Sequence, residues 1–91
     1  MGVNIILQRV DGTEHPQWDV VRQGNDREFA HLMPQLPHIQ SVDVEGYGLM
    51  RPSDFGAWRK ALVGNSERDD RYAQLLTILE EDSGYWIHLS W

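Results

Sequence analysis

The sequence predicts an α+β domain: a sheet of about three strands, antiparallel or mixed, with two main helices and one short helix packed on one face. Segments rich in β-branched or aromatic residues lie near both ends of the chain and suit strands. Apolar residues recur at helical spacing through the second half, and Gly or Pro separates the segments. The length of 91 residues predicts one domain over residues 1–91.

Three segments have the character of strands. Residues 3–10 (VNIILQRV) are rich in β-branched side chains and end at an Asp-Gly turn signal. Residues 39–45 alternate in part, with Val42 and Val44 on one face, and the following Gly-Tyr-Gly breaks or bends the segment. Residues 85–91 (YWIHLSW) form the last strand, which we expect to be an edge and a neighbour of the first strand.

A loop and a short helix are expected between the first two strands. Residues 13–24 read as a loop because His15 precedes a proline, with Trp18 among the apolar anchors. Asn25 is a suitable cap for a helix over residues 26–33, with Glu28 placed to complete a capping box. Pro34 and Pro37 end this helix.

The second half predicts two longer helices. Ser53 is the expected cap of the first, in which Phe55, Trp58 and Leu62 fall on one face. The motif Ser-Glu-Arg-Asp at residues 66–69 opens the second as a capping box. Its apolar face repeats at i, i+3, i+4 and i+7, in the residues Tyr72, Leu75, Leu76 and Leu79.

Composition excludes several classes of protein. The net charge is −6, which argues against nonspecific nucleic-acid binding because that depends on Lys and Arg contacts to phosphate. There is no cysteine, so disulfide frameworks and thiolate zinc sites are excluded. No segment resembles a signal peptide or a membrane helix, so we expect a cytoplasmic protein with no membrane partner.

Catalytic and cofactor motifs are missing from the sequence. The four histidines have none of the spacings that place two imidazoles on one metal ion, although His31 and His38 could converge in the fold. There is no cysteine nucleophile, no G-x-S-x-G elbow and no phosphate-binding lysine motif. We therefore predict no catalytic residues, no metal, no cofactor and no enzymatic activity.

Two features point to an interaction surface. Four tryptophans in a chain of this size are many, and the two in the terminal strand lie on opposite faces, so one is left for solvent or a partner. Acidic residues also gather at the end of the last helix, where the helix dipole disfavours them. The candidate interaction residues are Trp86, His88, Trp91, Glu80, Glu81 and Asp82.

The second half also resembles small uncharacterised bacterial proteins. The resemblance is carried by the run RPSDF at residues 51–55 with Trp58, by Arg71-Tyr72 leading to ILEED at 78–82, and by YWI at 85–87. It implies no activity, cofactor or site residue.

The sequence favours a small protein-interaction module, of the adaptor, inhibitor or immunity type, whose partner is another protein or a second copy in a dimer. One alternative is a ligand-binding domain with an aromatic wall of Tyr47, Trp18 or Trp86, and with Arg51 or His88 fixing the ligand. A further alternative is an enzyme that uses His88 or His38 with a nearby acid.

Overall fold

A four-stranded antiparallel sheet organises the protein, in the strand order β1-β4-β3-β2. The computed structural model describes residues 3–21, 26–64 and 69–90, with the backbone alone at 19–21 and 69. Four α-helices and one short 3-10 helix accompany the strands in this part of the chain. In chain order the elements are β1 Asn4–Gln8, α1 Pro16–Val21, α2 Arg27–Leu32, the 3-10 helix Met33–Gln35, β2 Ile39–Val44, β3 Tyr47–Pro52, α3 Phe55–Leu62, α4 Asp69–Glu81 and β4 Trp86–Ser90.

The α+β class is confirmed, but the prediction of about three strands was wrong because it missed β3. The Gly-Tyr-Gly run at residues 46–48 suggested a break in the strand, and Arg51-Pro52 suggested the start of a helix. Glu45 and Gly46 instead form a two-residue hairpin turn with φ of 51° and 88°, which lets β2 and β3 pair from Ile39↔Pro52 to Val44↔Tyr47. Pro52 is tolerated because it is the last residue of its strand.

The strand order corrects a second prediction. β1 and β4 are neighbours as expected, paired from Asn4↔Ser90 to Gln8↔Trp86. β4 is not an edge strand, however, because β3 joins its other side through Met50↔Ile87. The sheet edges are β1 and β2.

Two details of the helices also differ from expectation. Residues 16–21 form α1 rather than a loop, since a proline is well suited to the first position of a helix. Asp54, not Ser53, caps α3, and its carboxylate accepts a hydrogen bond of 3.1 Å from the Ala57 amide. The Ser53 hydroxyl donates to the His38 carbonyl instead. The caps expected at Asn25 and Ser66 lie outside the described residues.

The core lies between the helices and one face of the sheet. Ile5 and Leu7 of β1 and Ile87 of β4 share that face and are fully buried. Trp18 and Trp58 are fully buried as predicted. The remaining buried members of this core are Phe29, Leu36, Leu62, Tyr72, Leu75, Leu76, Ile78, Leu79 and Tyr85.

A buried ion pair ties α2 and α4 to β1. Asp26 accepts hydrogen bonds from Arg71 Nε at 2.6 Å and Arg71 Nη2 at 2.8 Å, and a third of 2.8 Å from the Ile5 amide. Arg71 also stacks on Trp18, with its guanidinium carbon 4.4 Å from the ring centre. These bonds satisfy a carboxylate that would otherwise be costly to bury, and they fix the edge of the sheet at β1.

Candidate functional site

The face of the sheet opposite the helices is the candidate site, and we call it the open face. Side chains directly opposite one another on paired strands share a face, so the register places Ile6 beside His88 and Gln8 beside Trp86. The β2–β3 register places Val42 beside Leu49 and Val44 beside Tyr47 on the same face. The centre of the open face is thus formed by Ile6, Gln8, Val42, Val44, Tyr47, Leu49, Trp86 and His88. The same registers place Asn4, Gln40, Arg51 and Ser90 on this face toward the ends of the strands.

None of these eight residues belongs to the buried core on the helical side. Tyr47 is half exposed, at 50% of its surface, whereas Leu49 is 1% exposed among its neighbours on the strands. The other six are partly exposed. The open face therefore has a buried aliphatic residue, Leu49, and an accessible aromatic ring, that of Tyr47.

His88 is held in place by two contacts on the open face. Its Nδ1 lies 3.0 Å from Gln8 Oε1, and because an amide oxygen only accepts, the imidazole N–H donates. Its ring meets that of Tyr47 edge-on, with the ring centres 5.1 Å apart. Among the residues that the structure describes, these two contacts join His88 to an amide and to an aromatic ring rather than to a carboxylate.

A shallow groove borders the open face, between the turn after β1 and the turn joining β2 to β3. Its volume is about 110 Å³, and it is lined by Gln8, Val10, Asp11, Gly12, Val44, Glu45 and Tyr47. The Thr13 amide donates a hydrogen bond of 2.9 Å to Asp11, and this bond lowers the pKa of the Asp11 carboxyl. The groove thus presents the two acids Asp11 and Glu45 beside the exposed ring of Tyr47, and no Lys or Arg of the described residues lines it.

The structure divides the residues that were predicted from sequence. Trp86 and His88 lie together on the open face. Glu80 instead meets Arg59 at 3.4 Å, and Asp82 meets Arg9 at 2.8 Å. Trp91 lies outside the described residues.

Asp82 has a structural role at the end of α4. Its carboxylate accepts a hydrogen bond of 2.9 Å from the Gly84 amide and faces the Arg9 guanidinium. These two groups, the amide first, lower the pKa of Asp82. Arg9 in turn stacks on Tyr85, with its guanidinium carbon 4.4 Å from the ring centre. Two of the acids at the end of α4, Glu80 and Asp82, therefore form ion pairs within the chain and do not join the open face.

The residues of the proposed ligand site do not converge either. Trp18 is 1% exposed, and its indole N–H donates to the Ile5 carbonyl at 2.8 Å, so it cannot line a wall with Tyr47. The Arg51 guanidinium lies 5.8 Å from the centre of the Trp86 ring, but Arg51 is 7% exposed and its guanidinium donates to three backbone carbonyls, so it is not free to fix a ligand. Only Tyr47, His88 and Trp86 of that set share a surface.

Sequence reasoning missed Ile6, Gln8 and Leu49 as members of the open face. Ile6 does lie on the opposite side of β1 from Ile5 and Leu7, which was the available signal. Leu49 could not be placed because β3 itself was not recognised.

The described residues contain no group of three His, Asp or Glu side chains that could hold a metal ion. Within the same ranges, no helix has the length and apolar character needed to cross a bilayer.

In comparisons with known proteins, no family model, no curated protein and no solved structure matches the chain.

Proposed function

We propose that this protein is a non-catalytic interaction module that binds another protein through the open face. The observation that carries the proposal is the exposed Tyr47 ring, set against His88 on a sheet face whose side chains lie apart from the helical core. Tyrosine and tryptophan are enriched among the residues that dominate binding energy, because they bury large apolar surfaces and keep a polar tip.

The anchoring of Tyr47 favours binding over chemistry. A ring already held by His88 loses little side-chain freedom when a partner covers it, so less of the binding energy is spent on ordering. His88 in turn contacts an amide and a phenol ring, whereas an acid–base catalyst is usually oriented by a carboxylate. Both features suit a contact surface.

The groove supports a protein partner better than a small ligand. Its volume of about 110 Å³ is well below the several hundred Å³ of pockets that enclose drug-sized ligands. Four strands of about five residues span roughly 300 Å² at usual strand spacings. A stable interface buries about 800 Å² per partner, so the partner must reach past the open face to its borders.

The proposal can be tested by comparing tagged wild-type protein with the variants Tyr47→Asp and Gln74→Asp in native cell extracts. Gln74 is exposed on α4 and receives the same new charge outside the sheet. Quantitative mass spectrometry should recover a stoichiometric partner with the wild type and with Gln74→Asp, and about tenfold less with Tyr47→Asp. Circular dichroism and thermal unfolding would show that all three proteins fold.

Equal recovery with both variants would contradict the proposal. So would the absence of any stoichiometric protein combined with a monomeric chain in sedimentation. A Tyr47-dependent dimer of this chain would place a second copy on the open face and would keep the interaction function.

A further inference from the structure

The two edge strands of the sheet differ in how their outward backbone groups are used. Along β1 and at Val3 before it, four of those groups are hydrogen-bonded to the chain itself, which blocks pairing with another strand. Each bond is 2.8 Å long: Val3 O accepts from the Asp26 amide, Ile5 N donates to the Asp26 carboxylate, Ile5 O accepts from the Trp18 indole, and Leu7 O accepts from the His15 amide.

The other edge, β2, is open. The two-residue turn makes Val44↔Tyr47 a hydrogen-bonded pair, so the bonds to β3 alternate back along the strand. The backbone N–H and C=O groups of Ile39, Ser41 and Asp43 therefore point away from the sheet. Among the residues that the structure describes, none forms a hydrogen bond with these outward groups.

The sequence of β2 offers little to block pairing with another strand. Natural edge strands are commonly protected by Lys, Pro or a bulge. β2 has none of these over its six residues, and its only charge is Asp43. Its first three residues are exposed, with Ile39 at 40%.

We propose that β2 accepts an extended segment of a basic partner protein, which adds a fifth strand to the sheet. This inference rests on the interaction function proposed above and specifies how the partner is bound. Main-chain hydrogen bonds to Ile39, Ser41 and Asp43 supply the affinity, and alternate side chains supply the specificity.

Charge determines the chemistry of the added segment. Asp43 on the strand, Glu45 in the turn and Asp11 across the groove are all acidic, and residues 39–48 contain no Lys or Arg. A Lys or Arg opposite Asp43 gains a favourable cross-strand pair. Pairing of two copies would instead bring together two chains that each carry a net charge of −6.

Apolar side chains on the added segment would alternate with the basic ones. The side chains of Val42 and Val44 lie on the open face, next to the β2 edge of the sheet. Valine or isoleucine on the same side of the incoming strand extends this aliphatic surface toward Tyr47. The partner segment is therefore an alternating basic and apolar strand, which supplies part of the contact area that the open face lacks.

The test uses a capped peptide of about eight residues that alternates Lys and Val, within the usual length of a strand. At saturation it should slow amide exchange of Ser41 and Asp43 about tenfold or more, as measured by NMR. A peptide with the same side chains but N-methylated at every residue loses the main-chain donors along both of its edges and should not protect these amides. Equal binding by the N-methylated peptide would overturn the inference.

A charge exchange separates strand pairing from general attraction to an acidic protein. Wild-type protein should bind the Lys–Val peptide about threefold or more tightly than a Glu–Val peptide, and Asp43→Lys should reverse the preference. Glu81→Lys makes the same charge change at the exposed end of α4 and should keep the wild-type preference. Equal effects of the two substitutions would contradict pairing at β2.

This inference and the proposed function can fail separately. If a recovered partner depends on Tyr47 but leaves the Ser41 and Asp43 amides unprotected, strand addition is wrong and the interaction function stands. If the peptide protects these amides while no protein depends on Tyr47, the proposed role of the open face is wrong. A dimer joined through β2 would replace the basic partner with a second copy and overturn the inference.

Discussion

At the residue scale, Arg51 places a positive charge at the end of α4, where acidic side chains are unfavourable. It is 7% exposed, and its guanidinium donates to Ser83 O at 2.8 Å, Tyr85 O at 2.6 Å and Leu79 O at 2.9 Å. Leu79 is among the last four residues of α4, whose carbonyls have no partner within the helix. A buried cation thus lies where the helix dipole favours one, although burial lowers the pKa of Arg51.

We expect Arg51→Met to lower the free energy of unfolding by about 2–4 kcal/mol, because it keeps most of the volume but removes the donors to three carbonyls. Arg59→Met is the matched control. Arg59 is 41% exposed and meets Glu80 at 3.4 Å, so its loss should cost less than about 1 kcal/mol. Urea denaturation measures both values, and equal losses would contradict the role given to Arg51.

The Asp82 carboxylate should make stability depend on pH. The Gly84 amide and the Arg9 guanidinium hold its pKa below the ordinary value of 3.8. A carboxyl with a lowered pKa stabilises the folded state above its ordinary pKa, and this contribution is lost as the pH falls through the folded pKa. Asp82→Asn removes the titrating group.

The free energy of unfolding should therefore fall less steeply in Asp82→Asn than in the wild type between about pH 6 and pH 3. Glu81→Gln provides the comparison, since Glu81 is exposed and the described residues give it no ion pair. Its profile should follow the wild type. If the stability of Asp82→Asn and of the wild type fell equally with pH, the Gly84 amide and Arg9 would not stabilise the Asp82 carboxylate in the folded state.

At the scale of the elements, the turn between β2 and β3 decides how much of the sheet forms. Glu45 has a φ of 51°, a conformation that is costly for most residues with a side chain and easier for Asn. Replacing Glu45 with Asn should stabilise the protein by up to about 1 kcal/mol, because Asn-Gly is the preferred pair for this turn.

Asp43→Asn removes the same charge two residues earlier, within the regular strand β2, and should change stability by less than about 0.5 kcal/mol. Thermal and urea unfolding of the two variants would compare them directly. A destabilised Glu45→Asn protein would contradict the turn conformation described here.

The same turn shows why some elements could be predicted from sequence and others could not. α4 and the two terminal strands have residue patterns that indicate their structure directly, and each falls within the residues predicted for it. β3 has a glycine near its start and ends in Arg51-Pro52, a pair that was read as the start of the next helix. Its strand conformation comes from pairing with β2 and β4, which is tertiary context that a local pattern does not contain.

At the scale of the whole molecule, one face of the sheet packs against the helices and the other is the open face. The sequence predicted that Trp86 and His88 share one face of their strand, because alternation along a strand is a local property. It could not show that Tyr47 and Leu49 join them, since that depends on the strand order. The structure also shows that Glu80 and Asp82 do not belong to this surface, because they contact Arg59 and Arg9.

Photo-crosslinking in native cells would show whether a partner protein contacts the open face. The photoreactive residue p-benzoylphenylalanine would replace Tyr47 in one protein and Gln74, on the exposed side of α4, in another. We expect one discrete crosslinked product from the position of Tyr47 and none from that of Gln74. Equal products at both positions, or a product at Gln74 alone, would show that the partner binds elsewhere.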